Sequence, residues 1–115
     1  MPDVVLDGTG KLDENLCERL ETEVAKAIAE SMPCKLSAVI ITTHSAQGKE
    51  KPMNQRSVTA KITTMFLYDK SEQERREIVK RVKAAVESKI HKVLPGIHFA
   101  EAFLFDSIPA SPPPQ

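Results

Sequence analysis

The chain of 115 residues contains no tryptophan, and aromatic residues make up only 4% of it. Its core must therefore be built from Val, Ile, Leu and Ala. A surface for single-stranded nucleic acid, which needs exposed rings on which bases stack, is disfavoured. Net charge is zero, which removes the bulk electrostatic case for a nucleic-acid or anionic-membrane partner. Only two cysteines occur, Cys17 and Cys34, too few for a disulfide framework and without a C-x-x-C neighbour. Cys17 is expected to act as a small core residue, and a reducing cytoplasm is the expected location. No apolar run reaches the length of a membrane span, and the amino terminus lacks the basic and apolar regions of a signal peptide.

The usual catalytic signatures are missing too. His44, His91 and His98 do not stand at metal-ligand spacing, so no metal is expected and the histidines read as surface groups. There is no phosphate-cradling glycine loop, no G-x-S-x-G elbow and no catalytic Cys/His arrangement. No cofactor is implied.

What is present is a repeated pattern. Residues 3–7 read as a strand closed by Asp7-Gly8-Thr9-Gly10. A helix follows, with Asp13 as N-cap and Leu16, Cys17, Leu20, Val24, Ala27 and Ile28 on one face. Leu36 to Thr43 reads as a buried strand, and 44–56 as a long loop or ragged hairpin. Ser57 to Tyr68 alternates, with Val58, Ala60, Ile62, Thr64, Phe66 and Tyr68 on one side. Ser71 to Glu74 forms a capping box for a second helix whose buried stripe is Ile78, Val79, Val82, Val86, Ile90 and Leu94. Pro95-Gly96 stops it, and Ile97 to Phe105 is the last strand. The basic residues of this second helix read as a solvated face paired with its own glutamates.

The order is β-α-β-β-α-β, an α+β fold with a four-stranded mixed sheet, two helices on one face and a pseudo-twofold repeat. The units span about residues 1–56 and 57–108 of a single domain, with a Pro-rich tail at 109–115. Gly10-Lys11-Leu12-Asp13-Glu14 and Asp69-Lys70-Ser71-Glu72-Gln73 place the two helix starts 59 residues apart, and Leu20 aligns with Val79 at that offset. Residues 1–34 carry eight acids and three bases, whereas 35–115 carry thirteen bases and eight acids. This favours attraction between the halves. The second sheet face is apolar enough to require burial between subunits, so a homo-oligomer is expected.

Pro2 opens the first strand directly behind Met1. Once Met1 is removed, Pro2 presents a secondary amine whose reference pKa of roughly 8 lies close to neutrality, suited to a general base.

A strand opened by proline, Gly10-Lys11 followed by Asp13-Glu14, and a second strand containing Ser37-Ala38-Val39-Ile40-Ile41-Thr42 together resemble the tautomerase superfamily. The motifs are similar to 4-oxalocrotonate tautomerase. The doubled unit is closer to the macrophage migration inhibitory factor-like and carboxymethyl-hydroxymuconate isomerase-like branches. The resemblance implies a trimer with sheets facing inward and Pro2 as base in keto–enol conversion of a small α-keto or unsaturated carboxylic acid, or in a related dehalogenase or decarboxylase. It implies that Lys11 binds the substrate carboxylate, with lysine in place of arginine. Ala38 stands where the bacterial enzyme has a second arginine. Lys35 and Arg56 are candidate replacements, and Tyr68 is a candidate donor to a substrate oxygen. Asp3, beside Pro2, opposes a lowered amine pKa. The alternatives are an inactive protein of the same fold and a ferredoxin-like interaction module.

Overall fold

A computed structural model describes residues 2–8, 12–32, 34–45 and 52–106. Six main elements follow one another: β1 (Asp3–Gly8), α1 (Glu14–Ser31), β2 (Ile40–Ser45), β3 (Ser57–Thr64), α2 (Glu72–Val93) and β4 (Phe99–Asp106). Short 3-10 turns at Leu36–Ala38 and Met53–Gln55 lead into β2 and β3. The strands form one mixed sheet in the order β2-β1-β3-β4. β1 and β2 are parallel, β3 and β4 are parallel, and the central pair β1 and β3 is antiparallel. Each helix thus joins two adjacent strands. A ferredoxin-like sheet splits such pairs with a third strand, so that alternative is corrected by the strand order.

Both helices begin where their caps dictate. The Asp13 carboxylate accepts from Asn15 N at 2.8 Å, and Ser71 Oγ accepts from Glu74 N at 3.2 Å. Leu20, Val24 and Ile28 of α1 and Val82, Val86 and Ile90 of α2 are fully buried. They pack on Val4, Leu6, Val58, Ala60, Ile62 and Ala102 from the sheet. Each buried Leu, Ile or Val stabilises the fold by roughly 1.5–3 kcal/mol. Cys17 lies half-buried at the rim of this core rather than inside it.

Strand boundaries differ from the sequence reading: β1 runs one residue further, to Gly8, β4 is Phe99–Asp106 rather than Ile97–Phe105, and β2 and β3 change as follows. Leu36–Ala38 turns before the strand starts, with Ala38 N donating to Lys35 O and Val39 N to Leu36 O. β2 then continues past Thr43 because Ser45 still finds Gly8 as a partner. β3 ends at Thr64, since no neighbour continues beyond Asp106 among the described pairs. Phe66 and Tyr68 therefore belong to a turn. Met1, Gly10, Lys11 and the Pro-rich tail lie outside the described residues.

The repeat is real, but its offset changes along the chain. The N-caps Asp13 and Ser71 are 58 residues apart, and Leu20 aligns with Ile78 rather than Val79. At the strand starts, Ile40 N donates to Pro2 O at 3.1 Å while His98 N donates to Arg56 O at 3.0 Å. Arg56 is thus the second unit's counterpart of Pro2, 54 residues away. Half of the difference is β3, at eight residues against six for β1, and the other half is the longer connection between β3 and α2.

The sheet face away from the helices is open. Ile40, Asp3, Thr63 and Phe105 form one row across it at the Pro2 end, and Thr42, Val5, Lys61 and Phe103 form the next. Ile40 and Phe105 are each about half exposed. Further along, Asp7 faces His44 at 3.5 Å and Lys61 at 3.7 Å.

Candidate active site

Pro2 is buried at the start of β1, its carbonyl held by Ile40 N. Because β1 and β3 are antiparallel, the beginning of one meets the end of the other: Asp3 faces Thr63, and Thr64 follows beside Pro2. The end of α1 and the turn before β2 close around the same corner. The result is a cleft of about 340 Å³ lined by Pro2, Met32, Cys34, Ala38, Thr64, Met65 and Phe66.

The lining is apolar and rich in sulfur. Thr64 spends its hydroxyl locally, accepting from Phe66 N at 3.0 Å and donating to Met32 Sδ at 3.7 Å. Burial pushes the Cys34 thiol above its ordinary range. No charged side chain is among the described lining residues.

The expected site residues separate. Pro2 lies in the cleft. Lys35 is exposed on the short segment between the lining residues Cys34 and Ala38, which places it at the rim. Tyr68 lies in the turn after β3, three residues beyond Met65, and is half exposed. Its N–H donates to Met65 O at 3.0 Å, but it does not line the cleft. Arg56 is at the opposite end of the sheet, roughly 25 Å from Pro2 by the ordinary strand rise, so one chain does not bring them together. Met32, Cys34, Thr64, Met65 and Phe66 are not among the expected site residues, because the ends of α1 and β3 and the turns after them, rather than a motif, deliver them. Among the described residues, no group of His, Cys, Asp or Glu could hold a metal.

Most of the bases of α2 are engaged in structure. Arg76 pairs with Glu72, Lys83 with Glu87 and Glu101, and Lys89 with Glu23. Arg81 Nε donates to Ser31 O at 3.0 Å.

No family model matches the sequence, and no curated protein matches it. Solved structures share its fold. A fused 4-OT (W0, a symmetric trimer) superposes with a TM-score of 0.73 at 12% identity, covering 93% of this chain and 88% of that one. Pt0534 inactivated by 2-oxo-3-pentynoate gives 0.70 at 17% identity, covering 91% and 85%. A 5-carboxymethyl-2-hydroxymuconate isomerase from Deinococcus radiodurans R1 gives 0.66 at 12% identity, covering 99% and 88%. The chain has the tautomerase fold, in its two-unit form.

Proposed function

We propose that this protein is a tautomerase or isomerase acting on a small α-keto or unsaturated carboxylic acid. The observation that carries the reading is the burial of Pro2 in a cleft at the opening of β1 of a tautomerase fold. With Met1 removed, the Pro2 nitrogen takes a proton from the carbon beside the keto group and returns it at the other end of the enol system. Met32, Met65 and Phe66 give the cleft an apolar wall beside Pro2, a setting that disfavours the charged form of an amine. Lys35 at the rim, and Lys11, are the cations offered to the carboxylate. A lysine there binds as a point charge without bidentate geometry.

The protein works as a homotrimer whose sheets face inward, covering the row from Ile40 to Phe105. In such an assembly Arg56 of one copy has access to a neighbour's site that it lacks within its own chain.

Intact mass establishes whether Met1 is lost. Phenylpyruvate and 2-hydroxymuconate tautomerisation are then measured for the parent and for Pro2→Ala. Loss of the base is expected to lower kcat by about 10²–10⁴-fold. A rate that survives Pro2→Ala would sink the mechanism. A second reading, an inactive protein of this fold, is favoured by Ala38 and by a described lining without a cation. Absence of turnover with Met1 removed would select it.

A further inference from the structure

Arg75 sits in the first turn of α2, where the positive end of the helix dipole disfavours a cation. Its hydrogen bonds supply the reason for its placement. Nε donates to Lys70 O at 3.1 Å, Nη2 to Tyr68 O at 2.9 Å and Nη1 to Asp106 Oδ2 at 2.6 Å. One guanidinium therefore ties the turn between β3 and α2 to the last residue of β4. Asp106 relies on this contact, because its Oδ1 is buried without a hydrogen-bond partner among the described residues. A partly buried carboxylate in that position is costly unless it is paired.

The turn so held is the wall of the cleft. It carries Met65 and Phe66, and the Lys70 ammonium lies 4.9 Å from the centre of the Phe66 ring. Thr64 fixes the near end of the turn through Phe66 N, and Arg75 fixes the far end through Tyr68 O and Lys70 O.

We infer that Arg75 is a positioning residue for this wall, one that sets how tightly the Pro2 cleft grips the apolar part of its ligand. Arg75 is not among the residues lining the cleft, so it acts through Met65 and Phe66. Binding depends on the wall's position, whereas proton transfer depends on Pro2. The kinetic part of this inference rests on the proposed activity; the placement of the wall does not.

The test compares Arg75→Met, Arg75→Lys and Asp106→Asn in the full chain. With phenylpyruvate, Arg75→Met is expected to raise KM about tenfold while kcat stays within about twofold and the pH profile keeps its shape. Arg75→Lys recovers part of the loss, since a point charge cannot serve three acceptors in a fork. Asp106→Asn keeps the two carbonyl bonds and gives a smaller rise. Hydrogen exchange supplies the independent reading: in Arg75→Met the amides of Phe66, Tyr68 and Lys70 exchange faster by about tenfold, relative to those of Val82 and Val86. An unchanged KM in an active protein would overturn the inference, as would exchange that rises no more in the turn than at Val82 and Val86. If the parent turns over no substrate, the proposed activity falls and the exchange result alone decides the role of Arg75.

Discussion

Cys17 and Cys34 are both half-buried, yet only Cys34 shares the cleft with Pro2. Burial raises the Cys34 thiol pKa; for Cys17, burial is joined by the carboxylates of Glu21, Asp13 and Glu14. The thiolate is the reactive form, so both are expected to alkylate more slowly than a free thiol at neutral pH. Each should accelerate as pH rises beyond the ordinary thiol value of about 8.5. A competitive ligand such as a keto-acid analogue should shield Cys34 and leave Cys17 unchanged, which iodoacetamide labelling with peptide mapping can measure. Equal protection of both, or of neither, would mean that the ligand binds outside the Pro2 cleft. Pro2 was legible in the sequence because a proline at a strand start is a local feature. Cys34, Met65 and Phe66 were not, because they reach the cleft only after α1 and β3 have ended, and the lengths of those elements are set by tertiary pairing.

At the level of elements, the helices were more legible than the strands. A helix carries its own start signal and a stripe of period 3.6, and both Asp13 and Ser71 cap as their sequences indicate. A strand's limits depend on its neighbours: β2 runs on to Ser45 because β1 offers Gly8 there. The helix stop at Pro95-Gly96 was also readable, and Gly96 has a φ of +87°. A Cβ at this position would meet nothing within 4 Å, so substitution strains the backbone without a clash. Gly96→Ala is therefore expected to destabilise the protein by about 1 kcal/mol. Urea unfolding should show a lower midpoint with an unchanged slope. Gly96 precedes β4 at the sheet end away from Pro2, so the proposed turnover of phenylpyruvate should not change unless Arg56, at the same end, serves a neighbour's site. A loss of activity at constant stability would place part of the site at that end.

For the whole molecule, side chains of α2 close one edge of the sheet. At β4, Glu87 accepts from Ala102 N at 2.9 Å and Lys83 Nζ donates to Ala102 O at 2.5 Å, so α2 satisfies backbone groups that a neighbouring strand could otherwise use. The open face leaves Ile40, Phe99, Phe103 and Phe105 uncovered instead. Ile40 stands at the β2 side of the first row, and Phe105 stacks with Phe103 at the β4 side, ring centres 6.5 Å apart. A copy that presents Phe105 to the next copy's Ile40 makes a head-to-tail contact, and three such contacts close a ring. Light scattering should give three times the chain mass. Phe105→Glu and Ile40→Glu should each release monomers, since either removes one half of every contact. Mixing the two variants gives the sharper test. The intact Ile40 of one can meet the intact Phe105 of the other, but the next contact in the ring fails. The mixture should therefore form dimers and no trimers. Recovery of trimers on mixing would mean that the two residues do not face one another, and trimers that survive either substitution would mean that the open face is not the interface.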